Sequence, residues 1–235
     1  MVLENRSDGV SEHVRHLRRP AATGQRIIII MIPNRHQLNL PATAILVTGP
    51  ARSGKSEWAE RLASTSGRAV IYVATALENP EDADWTARIA AHRQRRPAHW
   101  QTLAVPDALE AALAAHSDAS CCLLVDSLGT WVANLLERDD TAWQIRRDAL
   151  LEQIDRSAAL VICVGEETGW GVIPAYPDGR TFRDRLGGLI RHLGSRCAAS
   201  WLVTGGYALD LARYGIPLES GVDPGQTADG DHHPT

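Results

Sequence analysis

The stretch that decides the fold runs from residue 44 to residue 56 and reads AILVTGPARSGKS. Its first half, 44–48, is a short unbroken apolar run rich in β-branched residues, the pattern of a strand buried on both faces. Its second half, Gly49-Pro50-Ala51-Arg52-Ser53-Gly54-Lys55-Ser56, fits G-x-x-x-x-G-K-[ST]. An amphipathic helix is predicted to follow, to about residue 64. A buried strand, a glycine-rich turn and a helix in that order are the context this motif requires. Gly49 and Gly54 permit the backbone to wrap its N–H groups around a phosphate. The helix N-terminus adds positive potential. Lys55 would reach the β- and γ-phosphates, and the Ser56 hydroxyl would ligate Mg²⁺.

Outward from this loop, apolar runs alternate with helical patterns. Strands are predicted at 69–75, 100–104, 121–126, 159–165 and 200–204. Helices are predicted at 84–93, 107–115, 130–137, 141–156 and 182–197. Short continuous apolar strands separated by helices imply an α/β fold, a mostly parallel sheet with helices on both faces. Residues 44–218 show no internal boundary and form one predicted domain. Residues 1–43 mix charge, proline and glycine and read as a poorly ordered or mis-started extension, with Met31 an alternative start. Residues 219–235 are polar and rich in glycine and proline, and read as a disordered tail.

The composition is that of an ordinary globular protein, 44% apolar and 22% charged. A net charge of −4 gives no overall attraction to nucleic acid. The four cysteines form no C-x-x-C pair, and three lie inside apolar runs, which fits buried thiols in a reducing compartment. The longest apolar run, IIIIMIP at 27–33, is far shorter than the ~20 residues of a membrane span. These features predict a cytoplasmic protein without a membrane span.

Two further places carry chemistry. Asp126 closes the apolar run CCLLVD, where an acid could hold Mg²⁺ directly or through water; a turn or helix-cap role is the alternative. The segment 84–100, DWTARIAAHRQRRPAHW, places Arg88, Arg93, Arg95 and Arg96 around His92. Guanidinium forks match phosphate oxygens, although a solvated basic surface has the same composition. A neutral imidazole can attack phosphorus to give a phosphoramidate, yet a histidine so placed can equally be a surface or structural residue. His99, beside Pro97 and Trp100, reads as structural.

In order, TGPARSGKS, YVATA, ARIAAHRQRRPAHW and LLVDSLGTWVANLL resemble successive motifs of the bifunctional adenosylcobinamide kinase / adenosylcobinamide-phosphate guanylyltransferase family. The run from Gly165 to Leu209 resembles the C-terminal half of that family, with Glu166-Glu167 where an Asn-Glu pair is common. The resemblance implies a RecA-like P-loop fold and two reactions of cobalamin assembly. ATP or GTP phosphorylates adenosylcobinamide. GTP then donates GMP to adenosylcobinamide phosphate, giving adenosylcobinamide-GDP and pyrophosphate. It implies that His92 carries the GMP and that Lys55 acts with it. It also places nucleotide contacts on Gly49, Pro50, Ala51, Arg52, Ser53, Gly54, Lys55 and Ser56, on Ala74, Thr75 and Ala76, on Arg93, Gln94, Arg95 and Arg96, and on Asp126. Ser56 and Asp126 are the implied Mg²⁺ ligands, and a trimer the implied assembly. A plain P-loop kinase would have no need of His92. A nucleotide-dependent switch would carry an N-K-x-D base-reading motif, which the sequence lacks.

Overall fold

The computed structural model describes residues 44–77 and 81–218. The predicted extension 1–43 and tail 219–235 lie outside these residues. In chain order the elements are β1 (Ala44–Gly49), α1 (Lys55–Thr65), β2 (Ala69–Ala74), α2 (Ala83–Arg95), β3 (Gln101–Ala104), α3 (Leu109–Ala115) and β4 (Cys121–Asp126). They continue as α4 (Leu128–Asn134), α5 (Asp140–Arg156), β5 (Leu160–Glu166), α6 (Pro177–Gly194), β6 (Ala199–Thr204), β7 (Tyr207–Asp210) and α7 (Leu211–Tyr214).

The strands form one sheet in the order β3-β2-β4-β5-β1-β6-β7. Every pairing is parallel except β6–β7. This is the expected α/β, RecA-like P-loop architecture, in which one strand, β5, separates the P-loop strand β1 from the acid-bearing strand β4. Because β1, β2, β4 and β5 run the same way, their C-terminal ends share one edge of the sheet. A parallel sheet binds ligands beyond that edge.

Successive strand residues face opposite layers, so each apolar run feeds two cores. Ile45 and Val47 of β1 join Val70, Leu124 and Ile162 beneath α1, where Ala59 and Leu62 cover them. Leu46 faces the other way with Ile71, Leu123 and Val161, against Leu113, Trp131, Leu150 and Leu189 of α3, α4, α5 and α6. Helices therefore cover both faces.

Local signals set the helix ends. Ser127 caps α4 in a reciprocal capping box with Thr130. Asp139 caps α5 by accepting from Ala142 N–H, and Pro177 opens α6 five residues before the predicted start. The hairpin β6–β7 was not predicted; Gly205 and Gly206, both at positive φ, form its two-residue turn.

Candidate nucleotide site

Beyond β1 the chain turns through 50–54 into α1. Gly49 is required there by space: a Cβ would stand 2.3 Å from the Val203 carbonyl and 2.6 Å from Ser53 Oγ. Arg52 (φ 59) and Gly54 (φ 90) are both left-handed on either side of Ser53, the alternation that gathers backbone N–H groups into an anion-binding concavity. Ser53 Oγ is buried without a hydrogen-bond partner among the described residues, and a phosphate oxygen would satisfy it. Lys55 is buried, and its Nζ donates to the Pro50 carbonyl at 3.4 Å, leaving donor capacity for a ligand.

The ends of β4 and β5 bring carboxylates to this loop. Ser56 Oγ donates to Asp126 Oδ1 at 3.4 Å, across a separation of 70 residues. Tyr72 Oη donates to the other oxygen, Asp126 Oδ2, at 2.8 Å. The cap of α4 is Ser127, so Asp126 is not the helix cap that its position also allowed. Gly49 pairs in register with Glu166, and Glu167 N–H donates back to Gly49 O at 3.0 Å. The Glu167 carboxylate accepts from Thr48 Oγ1 at 2.5 Å, and Glu166 Oε2 accepts from Gly129 N–H at 3.0 Å. Burial pushes the Glu166 carboxyl above the usual range, and the Asp126 charge adds to this. Ser127 and Lys55 pull in the opposite direction.

Of the 74–76 segment, Thr75 is fully buried and ties two strand ends together. Its hydroxyl donates to Ser127 O at 2.7 Å and accepts from Ser127 N–H at 3.0 Å. It also contacts the Thr130 hydroxyl. Asn134 Nδ2 holds the Thr75 carbonyl at 2.9 Å. Ala74 and Ala76 flank it at the sheet edge.

The basic segment is the C-terminal half of α2 and the turn beyond it. His92 lies on α2; its side chain and that of Arg88 are outside the described residues. Arg93 and Gln94 are exposed. Arg95 reaches Glu57 at 3.3 Å and Glu60 at 3.5 Å, both on α1. The Arg96 guanidinium lies 3.5 Å from the Tyr72 ring centroid and donates to Thr102 at 3.3 Å. The end of the His92 helix is thus joined to the P-loop helix and, through Tyr72, to Asp126.

Ser56 and Asp126 offer hard oxygen donors suited to Mg²⁺, which binds through one or two protein groups and completes its shell with water and phosphate. Among the described residues no group of three or more His, Cys, Asp or Glu is placed to hold a metal. Sequence reasoning missed Tyr72, Thr48, Glu166 and Asn134. The available signal was an acidic pair directly ending an apolar parallel strand, and a hydroxyl-bearing ring within another.

The fold and loop define a P-loop nucleotide-binding protein. The cobinamide kinase / cobinamide phosphate guanyltransferase family matches residues 45–211, and this chain belongs to it. The bifunctional adenosylcobalamin biosynthesis protein CobP of Pseudomonas aeruginosa is 44% identical over 174 residues, covering 74% of this chain and 98% of that protein. The Escherichia coli protein of the same description, CobU, is 33% identical over 181 residues, covering 71% and 98%. Among solved structures, the flagellar accessory protein FlaH from Methanocaldococcus jannaschii overlaps with a TM-score of 0.40 at 16% identity, covering 72% of this chain and 76% of that one. No helix among the described residues is long and apolar enough to cross a membrane.

Proposed function

We propose that this chain catalyses two successive steps on a corrinoid. It phosphorylates the aminopropanol hydroxyl of adenosylcobinamide with ATP or GTP. It then transfers GMP from GTP to adenosylcobinamide phosphate by way of His92. The observation that carries this reading is the convergence of Lys55, Ser56 and Asp126 at one sheet edge, in a chain of this family.

In the kinase step the acceptor oxygen attacks the γ-phosphorus, the bond to the β-phosphate oxygen breaks, and the hydroxyl proton leaves to a base or water. Loop N–H groups from Ala51 to Ser56 would hold the phosphates, and Lys55 offsets charge as it spreads over the transferring group. Ser56 and Asp126 would hold Mg²⁺, which when bound neutralises phosphate charge. In the second step the neutral His92 imidazole attacks the α-phosphorus of GTP and pyrophosphate leaves. A phosphate oxygen of the corrinoid then displaces the imidazole, giving adenosylcobinamide-GDP. Ala74, Thr75 and Ala76 would line the nucleotide. Arg93, Gln94, Arg95 and Arg96 would approach its phosphates, Arg95 and Arg96 by exchanging present partners for phosphate oxygens. A trimer, as the resemblance implies, completes the reading.

The test is His92→Asn. An amide nitrogen has no lone pair free to attack phosphorus, so GMP transfer should be lost while kinase activity largely remains. GTP labelled at the α-phosphate should leave acid-labile, base-stable label on the wild-type chain and none on the variant. Normal formation of adenosylcobinamide-GDP by the variant would refute His92 as nucleophile. Kinase activity in a wild-type chain that takes up no label would make it a plain kinase.

A further inference from the structure

The loop that leaves β5 carries large apolar side chains that the reactions above do not use. In the stretch 168–176, Trp170 is 65% exposed, Val172 94%, Ile173 72% and Tyr176 80%. Such a cluster is unusual on a surface unless something covers it.

Its position says what that is. β5 lies between β1 and β4, so the chain leaves the sheet between the phosphate loop and Asp126. Glu167, the residue before this loop, is bonded to the foot of the phosphate loop through Gly49 O and Thr48. The γ-phosphate, gripped by Lys55 and Ser56, would face this gap. An acceptor molecule must sit there to present its hydroxyl.

The loop is held, not loose. Arg180 Nη1 donates to the Pro174 carbonyl at 3.0 Å and to the Ala175 carbonyl at 2.8 Å. Gly179 lies so close to Pro174 that a Cβ would stand 2.8 Å from the proline ring. The first turns of α6 therefore pin the loop with its apolar side chains outward.

We infer that the apolar loop 168–176, through Trp170, Val172, Ile173 and Tyr176, is the surface on which the corrinoid ring docks. A corrinoid is a broad, largely hydrocarbon macrocycle fringed by amides, complementary to a small apolar platform beside polar groups. The platform exposes on the order of 500 Å² of side chain. A stable chain–chain contact needs about 800 Å² from each partner, so a single large small molecule suits the area better. The inference rests on the proposed function.

The experiment compares the wild-type chain with the double variant Trp170→Ala/Ile173→Ser. Both residues are exposed, so folding should be unaffected. Adenosylcobinamide binding is measured by equilibrium dialysis and its KM in the kinase assay. Both should weaken about tenfold or more, as expected from losing two large apolar contacts. Label uptake from GTP, which needs no corrinoid, should proceed at the wild-type rate, and the mass in solution by light scattering should not change. Unchanged corrinoid affinity would overturn the inference. So would a changed oligomeric state, because the loop would then be a contact between copies. Failure of the wild-type chain to phosphorylate adenosylcobinamide would instead refute the underlying functional reading.

Discussion

Tyr72 stands between the two halves of the site, its ring under Arg96 and its hydroxyl on Asp126. Burial, with the Asp126 charge behind it, pushes the phenol well above its ordinary range, so it remains a donor. By holding one carboxylate oxygen it orients the other toward Ser56. Groups that orient a metal ligand typically matter by tenfold or more. Tyr72→Phe keeps the ring and removes the donor. The Mg²⁺ concentration needed to tighten nucleotide binding should rise about tenfold, with metal-free nucleotide affinity unchanged; titration with a fluorescent nucleotide analogue measures both. Glu166 gives a pH prediction. Its carboxyl is raised in the folded state, chiefly by burial, so the ionised form is disfavoured there. That contribution to stability is complete below the unfolded carboxylate value of about 4.3 and is lost as pH rises through the raised folded value. Glu166→Gln, melted without nucleotide and with a chelator, should show a higher Tm than wild type at pH 7.5. The gap should close toward pH 4, and an equal or lower Tm at pH 7.5 would contradict this account.

Among the elements, α4 and α6 show how a site is braced from a distance. Arg185 of α6 is buried and donates to the carbonyls of Leu135, Leu136 and Arg138, closing the end of α4, and it pairs with Asp140 at 2.9 Å. It also packs against the Trp143 ring. Arg185→Ala would leave the buried Leu135 carbonyl and the partly buried Leu136 and Arg138 carbonyls without this donor and remove packing, costing about 3 kcal/mol of stability. Chemical denaturation should show this as a lower midpoint at an unchanged slope. Since α4 also carries Gly129 and the capping box beside Asp126, the same variant should lower nucleotide affinity less than it lowers stability. Three residues after Phe182 and four before Leu189, Arg185 lies on the apolar stripe of α6, whereas Arg191 is exposed. The carbonyls it meets there follow from the way α6 packs on α4 and α5, which periodicity does not encode.

At the scale of the whole molecule, the proposed function has one P-loop serve both reactions. Lys55→Ala should therefore depress phosphorylation and GMP transfer together, each by on the order of 3 kcal/mol of transition-state stabilisation. Assaying the two half-reactions separately decides it, and a near-normal rate in either would place that reaction at another nucleotide site. The order of strands and helices as far as β6, the buried run into Gly49 and the phosphate loop were legible in sequence, because each depends on neighbouring residues: alternation, caps, and amides gathered within one turn. Asp126 was legible as the acid closing a strand. The partners that orient it were not. Tyr72 comes from β2, and the neighbouring carboxylates of Glu166 and Glu167 arrive at the end of β5. They meet because parallel strands of separate segments end at one edge. Residue 166 follows residue 49 by more than a hundred positions yet pairs beside it in register. The chain's own order determined which elements form as far as β6 and where the proposed phosphate grip lies. Only the packing of the sheet decided which distant side chains surround that grip, since register and strand order arise from long-range burial, not from any local run of residues.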